Sequence, residues 1–173
     1  MKRLATIAAL LVVLSVMASI AFGATAMKTT NIYATMQKMP ELSTLVKLIN
    51  AAGLASALEK SGPYTLFAPT NTAFSKVPKS TLEMLGKPEN KAKLKSILLY
   101  HAIKGHVMAA QALKMKSPTS VKSLEGQNLT ITHTNTMVMV NKANVVKPDI
   151  MATNGVIHEI DAVLMPPAKT TTK

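Results

Sequence analysis

Apolar residues in the first half of the chain recur with the period of an α-helix. Leu42, Leu45, Val46 and Ile49 lie at positions i, i+3, i+4 and i+7, which places them on one helix face, and Gly53 ends the run. Prolines, glycines and apolar spacing indicate four further elements. They are a short helix over 54–60, a strand over 64–69, a helix over 78–85 and a longer helix that begins at Pro88.

The second half changes to the alternating period of β-strands. Residues 129–134 alternate Leu, Ile and His with threonine, which predicts a strand with one buried face. The run 137–140 is apolar at every position and predicts a strand covered on both faces. The pair Asn154-Gly155 predicts a tight turn before a strand over 156–164. Helices followed by strands indicate an α+β domain whose strands pair mostly antiparallel.

The first 26 residues have the pattern of a signal peptide. Two basic residues at positions 2 and 3 precede an apolar stretch over 4–22, and the small residues of 23–26 suit a signal peptidase. We predict cleavage after Ala26, with a retained membrane anchor as the alternative, since the apolar stretch approaches the roughly 20 residues of a spanning helix. Cleavage would leave a secreted or periplasmic protein that does not span the membrane. The predicted divisions are a signal peptide over 1–26, one domain over 27–167 and a polar tail over 168–173.

The composition excludes several classes of protein. The 173 residues contain no cysteine, which removes a disulfide scaffold, a thiol nucleophile and the best zinc ligands. The net charge is +12, but every basic residue after Arg3 is lysine and only 3% of the residues are aromatic. Specific nucleic-acid binding is therefore not expected, because arginine forks and stacking rings are scarce. A general attraction to anionic cell-surface polymers stays open. We interpret Lys87, Lys91 and Lys95, at four-residue spacing, as a solvated face of one helix.

Three stretches of sequence, in this order, resemble the signatures of the fasciclin domain. The first is Thr-Leu-Phe-Ala-Pro-Thr-Asn-Thr-Ala-Phe over 65–74, and the second is Leu-Leu-Tyr-His over 98–101. The third runs over 154–166 and begins Asn-Gly-Val-Ile-His. The resemblance covers residues 31–167. The motif positions, which we interpret as structural, are Thr65, Phe67, Ala68, Pro69, Asn71, Phe74, Tyr100, His101, Asn154, Gly155, His158 and Asp161.

The resemblance implies both a fold and a class of function. Fasciclin domains are wedge-shaped β-sandwiches packed with several helices, which here fall in the N-terminal half. The family includes adhesion proteins of animals and secreted proteins of bacteria, algae and plants, and it implies neither enzymatic activity nor a cofactor. We therefore expect a secreted non-catalytic domain that mediates adhesion or binds extracellular or envelope proteins.

The repeats of periostin and keratoepithelin, which this chain also resembles, suggest a contact site. A Pro-Asp-Ile segment before the last signature is a proposed integrin contact in those repeats, and the matching residues here are Pro148, Asp149, Ile150 and Met151. Lys147 stands where that pattern is acidic, which weakens the inference of an integrin partner. We expect the segment to be a connection at the edge of the sheet. Asp149 is expected to contribute to binding while being nearly neutral for the fold, and Ile150 either contacts the partner or enters the core.

The titratable residues favour structure over chemistry. His101 and His158 lie on apolar faces, so we interpret both as buried groups that bond to backbone rather than as ligands. We expect no metal site, because the sequence spacing does not bring three or four ligands together. Glu159 and Asp161 lie on the opposite face from His158 and are expected to meet solvent or a lysine. The sequence contains no nucleophile elbow and no glycine-rich phosphate loop, so no catalytic residue is assigned.

A second function stays open beside adhesion. Some algal fasciclin proteins bind carotenoids, so the resemblance also allows an exported carrier of an apolar small molecule such as a carotenoid or a lipid. Methionine makes adaptable apolar surfaces, but we interpret Met84, Met108, Met137 and Met139 as core filling. Asn128 begins a formal glycosylation acceptor, whose use depends on a eukaryotic secretory route.

Overall fold

The structure, a computed structural model, describes residues 30–60 and 62–167. The signal peptide predicted over 1–26 and the tail predicted over 168–173 lie outside the described residues. No helix within the two described ranges is long and apolar enough to cross a membrane.

The helices occur mainly in the first half of the chain, as the sequence pattern predicts. They are α1 (Ile32–Gln37), α2 (Ser43–Ala52), α3 (Ala55–Lys60), α4 (Asn71–Ser75), α5 (Lys79–Gly86), α6 (Lys91–Tyr100) and α7 (Ala109–Ala112), with 3-10 turns at Pro40–Leu42 and Pro88–Asn90. Gly53 ends α2 in the left-handed conformation, with a φ of 72°. Lys87 lies in extended backbone between α5 and the next 3-10 turn, so its placement on one helix with Lys91 and Lys95 is wrong. The reason is Pro88, whose ring disfavours helical geometry in the residue before it.

Seven strands form one strongly curved sheet in the order β2-β1-β7-β6-β5-β4-β3. The strands are β1 (Tyr64–Pro69), β2 (Ala102–Lys104), β3 (Thr119–Lys122), β4 (Asn128–His133), β5 (Val138–Val140), β6 (Ala143–Ala152) and β7 (Gly155–Ile160). β1 and β7 pair parallel and the other neighbours pair antiparallel. A single bridge between Ile103 and Ser123 joins the two ends of the strand order, so the sheet nearly closes. The prediction of an α+β domain with mostly antiparallel pairing is confirmed.

Two apolar clusters lie on opposite sides of β1 and β7. The first fills the space between the helices and the sheet, and the second fills the inside of the curved sheet. Alternate residues of the two strands enter different clusters: Leu66 and Ile157 belong to the first, whereas Phe67 and Ile160 belong to the second. These two strands are therefore buried on both faces. Because the curved sheet folds back on itself, the fold is a wedge-shaped β-sandwich packed with helices.

Two strand predictions are wrong in detail. Met137 precedes β5 with 47% of its surface exposed, and within β5 only Val138 and Val140 are buried. The helices pack against β1, β2, β6 and β7, so the outer face of β5 lacks the cover that an all-apolar run predicts. β7 ends at Ile160 rather than Leu164, because its parallel partner β1 ends at Pro69, which pairs with Ile160.

The assignment of methionines to the core is also wrong in part. Met84 is 50% exposed on α5, because that helix turns Leu85 toward the core instead. Met108 and Met139 are half-buried. The four methionines therefore do not act together as core filling.

Candidate functional site

The four candidate contact residues do not form a connecting loop. They all lie within β6, so that prediction is wrong: Pro148, Asp149, Ile150 and Met151. The strand is irregular there, with shifts of register between Val145 and Lys147 and between Lys147 and Ile150. Such bulges let a strand accommodate a proline, which has no N–H for the sheet ladder.

The segment nevertheless lies at an exposed edge. β6 pairs with β5 only through Ala143 and Asn144, and beyond them that side of β6 faces no strand among the described residues. The side chains of Val146, Lys147 and Pro148 are exposed, and Val146 is 55% exposed. We call these three residues the β6 edge surface. Sequence analysis missed Val146, although the break in alternation at Val145-Val146 is a signal of a bulge.

Asp149 has a structural role that the sequence did not predict. Its φ is 58°, in the left-handed region. This conformation lets its backbone N–H donate to Nδ1 of His158 at 3.1 Å, while its Oδ1 accepts a hydrogen bond from the backbone N–H of Ala109 at 2.8 Å. Because Asp149 ties β6 to β7 and to the start of α7, the expectation that it is neutral for the fold is wrong. Ile150 is half-buried and packs against the first core cluster.

His158 is the centre of this network. Nε2 donates to the carbonyl of Val107 at 2.7 Å and Nδ1 accepts from Asp149, so the imidazole is neutral, with the proton on Nε2. The ring stacks on Phe67 with 5.8 Å between centroids. Burial lowers the pKa of His158, although the Val107 carbonyl and the Asp149 carboxylate act in the opposite direction. With both ring nitrogens in hydrogen bonds to backbone, His158 has no free nitrogen to act as a general base.

Glu159 is buried and lies beside a lysine, so of its two expected neighbours, solvent and lysine, the structure has the lysine. It is 5% exposed, because both faces of β7 are covered. Lys147 Nζ lies 3.6 Å from Glu159 Oε1 and 3.4 Å from Glu41 Oε1. Burial raises the pKa of Glu159, against the attraction of Lys147. The pKa of Glu41 is lowered, mainly by a hydrogen bond from backbone and further by Lys147.

Replacing Glu159 by glutamine is expected to stabilise the protein at pH 8 by about 1 kcal/mol. A carboxyl group whose pKa is raised on folding favours the folded state at low pH, and this contribution is lost as pH rises above the ordinary glutamate range. Urea unfolding at pH 4 and pH 8 measures the effect, with the exposed Glu83→Gln as control. A gain that is larger at pH 4 than at pH 8 would contradict the assignment.

The third motif places Asn154 and Gly155 at the turn between β6 and β7, where α1 and α3 meet the sheet. The two-residue turn is Thr153-Asn154, one residue earlier than predicted, because Ala152 pairs with Gly155. Asn154 Oδ1 accepts from Ile32 N–H at 2.8 Å, and its Nδ2 donates to the Leu58 carbonyl at 2.6 Å. The turn thus anchors α1 and the end of α3 to the sheet.

The first motif joins β1 to its surroundings. Thr65 Oγ1 donates to the Gly105 carbonyl at 2.7 Å and accepts from Val107 N–H at 2.9 Å. Asn71 accepts from Thr44 N–H at 3.0 Å and donates to the Pro40 carbonyl at 2.9 Å, which fixes α4 against the start of α2. The apolar members of this motif are buried, namely Phe67, Ala68, Pro69 and Phe74.

The second motif connects α6 to the sheet and to the C-terminal segment. His101 is 1% exposed; its Nδ1 donates to the Ile97 carbonyl at 2.8 Å, and its Nε2 accepts from Leu164 N–H at 3.0 Å. Burial lowers the pKa of His101 to about 4, although the Ile97 carbonyl opposes the shift. Tyr100 donates its hydroxyl proton to the Asn128 carbonyl at 3.0 Å.

Asp161 completes the set of motif residues. Its carboxylate accepts from the backbone N–H and the side-chain amide of Asn144, at 2.8 and 2.9 Å. Burial raises its pKa, but the two hydrogen bonds and the nearby Lys76 outweigh that effect, so the pKa of Asp161 is lowered. Lys76 Nζ is 3.8 Å from the carboxylate, in agreement with the expected lysine neighbour. Over residues 30–60 and 62–167, no three His, Asp or Glu side chains form a group that could hold a metal ion.

An apolar cavity of about 80 Å³ lies between α2, α3, α6 and the sheet. Its walls include Ile49, Leu58, Leu66 and Leu98. Pockets for drug-sized ligands usually have roughly 300–1,000 Å³. The cavity therefore does not favour the hypothesis that the protein carries a carotenoid.

Comparison with known proteins assigns the family. The fasciclin-domain family model matches residues 40–166, which include all three motifs and most of the helical half. The chain therefore belongs to the fasciclin-domain family.

Several curated proteins are similar to this chain. Protein sll1483 of Synechocystis is 49% identical over 125 residues, covering 72% of this chain and 67% of that protein. Transforming growth factor-beta-induced protein ig-h3 of Sus scrofa is 42% identical over 73% of this chain, but the match covers only 18% of ig-h3. Cell surface glycolipoprotein MPB83 of Mycobacterium bovis is 38% identical over 75% of this chain and 58% of its own length. The chain thus spans only part of the larger relatives.

A solved structure has the same fold. The FAS1 domain pair from the insect cell adhesion molecule Fasciclin I matches 80% of this chain and 51% of that chain, with a TM-score of 0.71 and 19% sequence identity. At this identity the match establishes the fold alone.

Proposed function

We propose that the protein is an exported, non-catalytic binding domain that mediates adhesion to extracellular or envelope proteins or to anionic cell-surface polymers. The observation that carries the proposal is that the polar side chains of the motifs form hydrogen bonds to the protein's own backbone. His101 and His158 use both ring nitrogens in backbone hydrogen bonds, and Asp161 accepts a backbone N–H group, as does the candidate contact residue Asp149. Groups bound in this way stabilise a scaffold and are not available for proton transfer or ligation.

Export is supported by the N-terminal pattern and by the relatives. Basic residues, an apolar stretch and small residues precede the described domain in the order of a signal peptide. MPB83 carries the name of a cell-surface glycolipoprotein, and Fasciclin I that of a cell adhesion molecule. The proposal places this protein outside the cytoplasm, with Met27 as its first residue after cleavage.

The β6 edge surface is the proposed contact region, together with the exposed part of Asp149. Lys147, Pro148 and the bulges oppose addition of a partner strand, since an edge with these features cannot extend a regular ladder. A partner would therefore contact side chains, with Val146 as the apolar element. Lys147 Nζ lies 3.4 and 3.6 Å from the carboxylates of Glu41 and Glu159, which favour one orientation of its side chain before binding.

Val146→Ser and Pro148→Ser are expected to weaken binding to the host's envelope fraction by about 5-fold or more without lowering thermal stability. Both side chains are exposed, so their loss removes little packing. Asp149→Ala is expected to lower binding and stability together, because it releases the Ala109 N–H. Met84→Ser, an exposed apolar residue on α5, is the matched control. Unchanged binding in both serine variants would place the contact elsewhere.

A further inference from the structure

The apolar cavity has a mouth at the protein surface, where its lining residues are partly or fully exposed. Tyr64, Leu99 and Leu124 line the cavity and are half-buried, and Ala57 lines it from the exposed side of α3. These four residues mark where the cavity reaches the surface. The wall at this end is formed by β1 and β2, next to the bridge that nearly closes the sheet.

Two lysines lie on the same face of the sheet as this mouth. Lys104 is the direct cross-strand partner of Tyr64, and directly opposite residues of an antiparallel pair share a face. Ala102, two residues earlier in β2, also lines the cavity, in agreement with the alternation of a strand. Both Lys104 and Tyr64 therefore face the side on which the cavity opens.

Lys122 lies across the seam from Lys104. The bridge between Ile103 and Ser123 is antiparallel, so Lys104 and Lys122 flank it at the same end. Both lysines are exposed. One carboxylate is near: Glu125 follows Leu124 and accepts a hydrogen bond from Ser96 Oγ at 2.9 Å. Because both lysines are exposed on the side where the cavity opens, an anionic group at the mouth can approach them from solvent.

The size of the cavity decides what kind of group enters it. An apolar cavity of 150 Å³ admits a benzene molecule, so the space of about 80 Å³ here suits a few carbon atoms. That is the scale of one aliphatic side chain, and it is far below the volume of a polyene or a whole lipid. A buried apolar anchor with a charged rim is a common arrangement at protein interfaces.

We propose that this cavity is a contact site for a protein partner and receives one aliphatic side chain, such as leucine, from a segment whose neighbouring residues are acidic. The proposal rests on the proposed function and adds a second contact region, separate from the β6 edge surface. The aliphatic side chain fills the apolar interior, and the flanking carboxylates meet Lys104 and Lys122.

Peptide titration of the purified exported protein, followed by NMR, tests the site. The probe is an acetylated, amidated peptide Asp-Glu-Leu-Glu-Asp, compared with a version with glycine at the centre and a version with serine and glutamine in place of the acids. The leucine peptide is expected to shift the resonances of Leu99, Ala102 and Leu124, and the glycine peptide to bind at least about 10-fold more weakly. Equal binding of the two peptides, or shifts that map to another face, would overturn the proposal.

Variants separate the interior of the site from its rim. Ala57→Phe places a ring at the mouth from an exposed helix position and is expected to abolish the leucine-dependent shifts. Lys104→Glu is expected to weaken binding several-fold, whereas Lys142→Glu makes the same charge change elsewhere and is expected to alter it less than about 2-fold. Retained leucine-dependent binding in Ala57→Phe, or saturation of the cavity by oleate, would refute a side-chain anchor. Unchanged leucine-dependent peptide binding in Ala57→Phe would refute this site and leave the proposed function standing; if the wild type captures no envelope partner, the proposed function itself fails.

Discussion

Replacement of Gly155 by alanine is expected to cost more than about 3 kcal/mol of folding free energy. A Cβ at this position would overlap the backbone carbonyl of Tyr64 and lie 2.5 Å from Cδ1 of Ile32. The Tyr64 carbonyl belongs to β1, which pairs parallel with β7 starting at this residue. The backbone cannot move away without separating the two strands that are buried on both faces.

Thermal unfolding of the exported protein checks this result. Gly86→Ala is the matched control, because a Cβ there meets nothing within 4 Å and the residue lies at the end of α5. The control is expected to melt at or slightly above the wild-type temperature, since alanine favours helix over glycine. A melting temperature for Gly155→Ala within about 2 °C of wild type would show that the strands do not approach as closely as described.

Replacement of His101 by alanine is expected to destabilise the protein by about 2–4 kcal/mol. The change leaves the Ile97 carbonyl and the Leu164 N–H without their side-chain partner inside the core. It also removes the contact that holds the C-terminal segment against α6. His106→Ala, on the half-buried loop before α7, is the control and is expected to cost less.

The same residue gives the wild-type protein a dependence on pH. The pKa of His101 falls from about 6.5 in the unfolded chain to about 4 in the fold, so the neutral form is favoured by folding. Its contribution is present above pH 6.5 and is lost as pH falls toward 4, by on the order of 3 kcal/mol. Urea unfolding across this range measures the loss, and His101→Ala should lack this component. An identical slope in wild type and variant would contradict a buried, neutral His101.

The sequence predicts the elements that depend on local pattern. The helix after Pro40 follows from the spacing of its apolar residues, and the strand at 64–69 follows from the turn residues before it. The structure has both. The position of Lys87 also follows from a local rule, because the proline after it disfavours helical backbone at Lys87. The two buried histidines could be interpreted from their apolar neighbours, but their partners, Leu164 and Val107, are remote in sequence and follow only from the fold.

Features that depend on strand pairing could not be predicted from local sequence. Alternation assigns Glu159 to the face opposite His158, and it is buried because β7 is central to the sheet and covered on both sides. The segment 148–151 contains a proline and a charged residue, which indicate a loop locally, yet pairing with β7 holds it in a bulged strand. The β6 edge surface and the cavity mouth likewise arise from contacts between distant segments, which no local pattern encodes.

Capture of a partner from the native host's envelope fraction tests the central claim most directly. The purified exported protein, immobilised in folded form, is compared with the same protein after heat denaturation. The account predicts that a protein or an anionic polymer of the envelope is retained by the folded form only, and that it is released by excess free protein. Retention of nothing beyond what the denatured form retains would contradict the claim that this fasciclin domain is an exported binding domain.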